Sequence, residues 1–217
     1  MVNNMESKYW DEYYKKHGKD NGISINSSFA EFCQKNYFDG KELSVVELGS
    51  GNGRDAIYFA HKGHKVHALD QSTVAIEIEM KQIHKNVGDQ IFPKAVDFIR
   101  ENYSEYDAID VFYSRFTLHA ISKQDEEIIL PKVYDALRDG GLFCIEVRTT
   151  KDELFGQGES KGENAYVTDH YRRFIDTEKF LPRMKEMGYK VLYFLESDNL
   201  SVYKNDNPVL MRLILQK

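Results

Sequence analysis

Apolar and polar positions follow two periods along this chain, and the periods take turns. Short apolar runs at Ser44–Leu48, Lys65–Leu69, Asp110–Tyr113 and Leu142–Arg148 read as strands, several of them apolar on both faces. A weaker strand falls in Gln90–Val96, interrupted by Pro93. Between them, helical spacing predicts helices over Arg54–Lys62, from a Ser72 cap to about Lys85, and over Asp125–Leu137. Gly63 closes the first, and Gly140-Gly141 predicts a turn before the strand at 142. Residues 6–17 look helical, with Tyr9, Trp10, Tyr13 and Tyr14 on one side, and Ser27 or Ser28 caps a helix running to about Tyr37. Thr177–Met187 predicts a last helix, and Tyr189–Leu195 and Val209–Leu215 a last pair of strands joined through Asn205-Asp206-Asn207-Pro208.

Alternating strands and helices over 44–148 imply βαβ units and a parallel sheet. The last two strands have no helix between them, so they pair antiparallel. The expected fold is α/β: a Rossmann-like, doubly wound, seven-stranded sheet, mostly parallel with one reversed strand, and helices on both faces. The chain reads as a single domain with a helical cap over 1–38, a core over 43–148, a lid or acceptor loop over 149–175, and a terminal helix and strand pair over 176–217. The lid expectation rests on 151–168, a long polar stretch with three glycines and six charged residues. Ligands in such sheets sit beyond the carboxyl ends of strands, here after Leu48, Leu69, Val96, Tyr113 and Arg148.

The densest motif is Val46-Glu47-Leu48-Gly49-Ser50-Gly51-Asn52-Gly53-Arg54-Asp55. Glycines at alternate positions clear side chains where a strand turns into a helix. The helix N-terminus then offers N–H groups to a ligand. Asp70 ends the next strand, 21 residues beyond Gly49, where a carboxylate can accept from both ribose hydroxyls. Spacing leaves the cofactor open, because Gly51-x-Gly53-x-x-Ala56 also satisfies a relaxed dinucleotide fingerprint. An NAD-dependent oxidoreductase and a non-catalytic nucleoside-binding module both stay in play. A plain structural turn, with Asp70 as a helix cap, is the bland account.

The same residues resemble motif I of class I S-adenosylmethionine-dependent methyltransferases, E/D-x-G-x-G-x-G. The resemblance runs from about Leu43 to the end of the chain. Leu137-Arg138-Asp139-Gly140-Gly141-Leu142 is similar to the family's L-K-P-G-G-x-L, with Asp139 in place of proline. The resemblance implies a small-molecule methyltransferase using S-adenosylmethionine, of the tellurite-resistance or thiopurine type. Gly49, Ser50, Gly51 and Gly53 would form the cofactor loop. Asp70 would hold the ribose, with Gln71 beside it, and Asp97 with Phe98 would read the adenine. Ser114 and Arg115 after the fourth strand would line the cofactor, and Trp10 and Tyr14 would cover it.

Single residues add to this. Glu47 ends a buried strand, where an acid is costly unless hydrogen-bonded, and it suits the methionine end of the cofactor. Arg54 opens a helix against the helix dipole and suits the methionine carboxylate. His119 is a candidate general base. Arg148 ends the fifth strand. With His170, Tyr171, Arg172 and Arg173 it is expected to hold an anionic acceptor, a phosphate, carboxylate or sugar-type metabolite.

Composition is that of a globular protein, neither disordered nor fibrous: 41% hydrophobic, 29% charged, formal net charge −6. That charge argues against nucleic acid as a partner. The longest apolar runs are five residues, too short for a membrane span. The polar N-terminus lacks a secretory signal, and Cys33 and Cys144 stand apart among apolar neighbours. The expectation is a cytoplasmic protein, monomer or homodimer, with no metal.

Overall fold

The computed structural model describes residues 4–18, 25–83 and 87–217, with no side-chain description for 4–7. In chain order the elements are α1 (Asn4–His17), α2 (Ser28–Cys33) continued by a π-helical turn to Phe38, β1 (Ser44–Leu48), α3 (Arg54–His61), β2 (Lys65–Asp70), α4 (Thr73–Gln82) and β3 (Ile91–Ala95). Then follow β4 (Ile109–Arg115), α5 (Lys123–Ala136), β5 (Leu137–Arg148), β6 (Glu159–Ser160), β7 (Ala165–Val167), β8 (Tyr171–Arg173), α6 (Thr177–Glu186), β9 (Lys190–Ser197) and β10 (Leu210–Gln216). The α/β, Rossmann-like design read from the sequence is present. Seven strands lie in the order β3-β2-β1-β4-β5-β10-β9. β10 is the one reversed strand, antiparallel to both β5 and β9. None of the described helices is long and apolar enough to cross a membrane.

The chain divides into two compact units, Met1–Asn102 and Tyr103–Lys217. In the first, the valines of β1 and the apolar residues of β2 are buried in parallel register, Ser44 beside Lys65 through Leu48 beside Leu69. Ser27 caps α2 by accepting from the Ala30 N–H at 3.0 Å. Its own N–H and hydroxyl donate to the buried Asp55 carboxylate at 2.6 and 2.7 Å, which ties α2 to the first turn of α3. Pro93 sits in β3, the edge strand, where a missing N–H costs least. The expected cap over 1–38 includes 1–3 and 19–24, which lie outside the described residues, as does the expected helix end at Lys85.

In the second unit one rung of side chains crosses three strands. Arg115 of β4 and Arg212 of β10 both register with Glu146 of β5. Glu146 is fully buried and accepts from Arg115 Nε at 2.9 Å and Arg212 Nε at 2.6 Å. Arg115 also lies 4.3 Å above the Phe116 ring and donates to Ser201, and Arg212 donates to the Leu200 carbonyl.

Two expectations need correction. The turn at Gly140-Gly141 is absorbed into β5, which starts at Leu137, and the β4–β5 register shifts between Ile109 and Val111 to make room. The stretch 151–168, read from the sequence as a loop, carries two short strands, β6 and β7, which form a small antiparallel meander with β8. Phe155, Tyr166 and Phe174 supply its apolar side, with ring centroids 5.6 to 6.2 Å apart.

Removing Glu146 leaves the buried Arg212 and the half-buried Arg115 without their shared counter-charge. Glu146→Ala is therefore expected to cost about 3–5 kcal/mol in urea unfolding. A loss under about 1 kcal/mol would mean the rung is not structural.

Candidate functional site

Leu48 ends β1, and the chain leaves it through Gly49, Gly51 and Gly53, with φ of 72°, 60° and 79°. These left-handed conformations are strained for any residue with a Cβ, so the alternate glycines are a backbone requirement. The Gly49 and Ser50 N–H groups both donate to the Leu69 carbonyl, at 2.8 and 3.0 Å. The loop is thereby anchored to the end of β2. Space is equally tight. A Cβ at Gly51 would lie 2.2 Å from the Tyr14 hydroxyl, and one at Gly53 would lie 2.3 Å from Glu79 Cγ.

Asp70, half-buried at the end of β2, accepts from the Gly51 N–H at 2.8 Å and the Ser72 N–H at 2.8 Å. Burial raises its pKa to about 6, against the opposing pull of the Ser72, Gly51 and Gln71 N–H groups. A carboxylate has about four acceptor positions, so capacity for hydroxyl donors remains. Asp11 of α1 accepts from the Ser72 hydroxyl at 2.6 Å, and Asn52 Nδ2 donates to the Gly18 carbonyl at 3.4 Å. Trp10 packs edge-on against Tyr9 and Tyr13, with its ring 6.3 Å from Tyr14. Tyr14 is the aromatic that reaches the glycine loop.

The other predicted residues of this unit are placed as follows. Glu47 is buried on β1 beside Ala68. Arg54 starts α3 with Nε 3.7 Å from the Asp55 carboxylate. Ser50 Oγ donates to Glu79 at 3.1 Å. Asp97 accepts from the Ile99 N–H at 3.1 Å and from Arg100 at 2.9 Å, and Phe98 is buried. Asp97 therefore organises its own turn before it meets any ligand.

Sequence reasoning missed Asp11 and Glu79. Asp11 carries no local signal, since its partners lie 61 and 63 residues away. Glu79 did carry one. It shares the buried side of α4 with Ala75 and Ile76, at core spacing.

In the second unit, Ser114 is fully buried, and its hydroxyl has no hydrogen-bond partner among the described residues. Arg115 belongs to the rung with Glu146. His119 is buried. Its Nδ1 accepts from the Arg148 N–H at 3.4 Å, and its carbonyl accepts from the Arg173 N–H at 2.7 Å. Burial lowers its pKa well below the ordinary histidine value, helped by the charges of Arg148, His170, Arg172 and Arg173. The structure thus brings His119 and the predicted cations into one electrostatic neighbourhood, with His119 neutral.

Those cations are matched, which alters the expected anion site. Arg148 is buried between Asp152, at 2.9 Å, and Asp206. Arg173 is buried on Glu126 and on the Leu118 and Ile121 carbonyls. Glu126 also holds Lys123 and Arg183, at 2.6 and 2.7 Å. Although burial works against ionisation, Arg173 and Lys123 hold the Glu126 carboxyl below the usual range. Arg172 pairs with Asp169 at 2.6 Å, and His170 Nδ1 lies 2.9 Å from the same carboxylate. Burial and Arg172 lower the His170 pKa despite Asp169. Tyr171, half-buried, opens β8. Among the described residues, no group of His, Cys, Asp and Glu could hold a metal ion.

Residues 45–141 match the protein family described as a methyltransferase domain. No curated protein matches the sequence significantly. Similar solved structures include a putative S-adenosylmethionine-dependent methyltransferase from Listeria monocytogenes. It is 19% identical with a TM-score of 0.64, and the match covers 81% of this chain and 90% of that one. The 1,6-didemethyltoxoflavin-N1-methyltransferase of Burkholderia thailandensis is 15% identical with a TM-score of 0.72, covering 98% and 87%. The CcbJ methyltransferase of Streptomyces caelestis is 14% identical with a TM-score of 0.73, covering 97% and 98%. At these identities the likeness is one of fold.

The loop itself can be tested without a ligand. Gly53→Ala puts a Cβ into the Glu79 side chain at a left-handed φ, and is expected to cost about 1–3 kcal/mol in thermal or urea unfolding. Unchanged stability would show that the loop is not held as described.

Proposed function

Because residues 45–141 match a methyltransferase-domain family, we propose that this chain moves a methyl group from S-adenosylmethionine to a polar small-molecule acceptor. The observation that carries the reading is the Asp70 carboxylate accepting from the Gly51 N–H, which supports a role for it as a ribose acceptor beside the glycine-rich loop. The cofactor supplies an electrophilic methyl group on its sulfonium. The chain has to bind, orient and keep water out, and such positioning contributes roughly 7–11 kcal/mol to a group transfer.

In this reading Asp70 takes the ribose hydroxyls, with Gln71 following it. The Gly49, Ser50, Gly51 and Gly53 backbone cradles the cofactor. Glu47 and Arg54 serve its amino-acid end. Asp97 keeps acceptor capacity for the adenine amine, with Phe98 packed beneath its turn. Tyr14, backed by Trp10 and pinned through Asp11, closes over the loop.

In the second unit Arg148 and Arg173 are read as posts that fix the local backbone. His170, Tyr171 and Arg172 are the less buried groups and the ones left to meet an acceptor. The proposal for an anionic acceptor is accordingly widened to a polar one. His119 is held neutral by burial and the neighbouring cations, which leaves it a free-base imidazole but a weak one. The Burkholderia thailandensis neighbour is a 1,6-didemethyltoxoflavin-N1-methyltransferase solved with 1,6-didemethyltoxoflavin bound, which supports a small-molecule acceptor.

Asp70→Ala is expected to weaken S-adenosylmethionine about 10- to 100-fold by calorimetry at neutral pH. Unchanged affinity would overturn the ribose assignment. The carboxylate is the binding form. Wild-type affinity should therefore fall as pH drops below about 6, and Asp70→Asn should be weak and flat over the same range. On the acceptor side, Arg172→Ala should lower acceptor kcat/KM by about tenfold or more while leaving cofactor affinity intact. Full activity in that variant would make Arg172 a surface residue.

A further inference from the structure

Beneath the glycine loop lies a carboxyl group that the proposed reaction does not use. Glu79, on α4, is completely buried. One of its oxygens accepts from Ser50 Oγ at 3.1 Å, and the other, Oε1, is buried without a hydrogen-bond partner among the described residues. Its stem fills the space where a Cβ on Gly53 would sit, so Glu79 meets the loop at both Ser50 and Gly53. The charged group that acts on it is Asp70, which bears the same sign, and Asp11 in turn acts on Asp70. No cation among the described groups compensates it.

A buried carboxylate with one bare oxygen, near a second carboxylate, is costly as an anion and inexpensive as an acid. We propose that Glu79 is a positioning residue for the cofactor loop: as a neutral carboxyl it props Ser50 and Gly53 in their binding geometry, and as a carboxylate it undoes that geometry. The inference rests on the proposed cofactor site and adds to it an alkaline limit set from beneath the loop. Burial raises the Glu79 pKa to about 8, so the acid form prevails at neutral pH. Asp70 and Glu79 then bracket the working range. Asp70 must have lost its proton, and Glu79 must have kept its own.

The sign follows from linkage. The folded chain holds the Glu79 proton up to about pH 8, whereas the unfolded chain releases it near 4.5. Wild type therefore loses stability relative to Glu79→Gln as pH rises from about 4.5 to about 8, and the difference is constant above that. Glutamine keeps the size and the acceptor for Ser50 but has no proton to lose.

The test pairs two measurements on wild type and Glu79→Gln. The first is calorimetric binding of S-adenosylhomocysteine from pH 6.5 to 9.5. This probe lacks the sulfonium charge, and its amino group titrates alike for both proteins. Glu79→Gln should bind within about threefold of wild type at pH 7. By pH 9.5 wild type should have lost about tenfold more affinity than the variant. Equal alkaline losses would overturn the proposal. The second is urea unfolding of the ligand-free proteins at pH 5, 6.5, 8 and 9.5. The stability gap should grow in favour of the variant up to about pH 8 and then level off, and a gap independent of pH would equally overturn the proposal. If neither protein binds the probe at any pH, the cofactor reading fails, and the unfolding series still decides the state of Glu79.

Discussion

Much of the first unit depends on one carboxylate accepting from two backbone N–H groups. Asp70 joins the loop after β1, through Gly51, to the start of α4, through Ser72. Without that tie, a glycine-rich loop would lose conformational freedom for little return, since each of its left-handed glycines is ordered at an entropic cost. The tie also sets the chemistry. In the proposed reading the oxygens that hold the loop are also the ones offered to a ribose, so folding and binding would draw on the same group. Burial that makes Asp70 a firm anchor also makes it harder to ionise.

α1 extends the arrangement. Asp11 accepts from Ser72, the residue whose N–H already serves Asp70 and whose hydroxyl caps α4. Three functions converge on one serine: helix cap, anchor for the acid, and dock for α1. Tyr14 then lies against Gly51, where a larger residue would exclude it. The covering aromatic and the bare loop are complementary features, and neither explains the other's placement alone.

The sequence made this unit legible to the extent that its logic is local. Three alternating glycines after a valine-rich strand, and an acid at the end of the next strand, state their geometry within a short window. Glu79 stands at a core position of α4, but an isolated acid in a helix reads first as a solvated face. Asp11 was invisible because its partners are set by tertiary packing. The same limit explains the arginines. That Arg148 ends β5 was readable, and that Asp206 would return from the β9–β10 connection to meet it was not. The meander over β6, β7 and β8 was missed because Phe155, Tyr166 and Phe174 fall at no regular spacing within a charged stretch.

The charge census of the second unit bears on what the acceptor can be. An acidic chain that gathers Arg148, Arg172 and Arg173 around one histidine suggests a basic mouth. Each arginine, however, arrives paired with an acid: Asp152 and Asp206 for Arg148, Asp169 for Arg172, and Glu126, shared with Lys123 and Arg183, for Arg173. The guanidinium groups are thus already engaged in ion pairs rather than held open for a strongly charged anion. What remains is a set of oriented donors and acceptors, some of them held rigid by the buried pairs behind them. Such a surface discriminates by hydrogen-bond geometry, because leaving a buried donor unmatched costs more than the bond itself contributes. An acceptor chosen by shape and hydrogen bonding is the kind for which precise alignment with a methyl donor does most of the catalytic work.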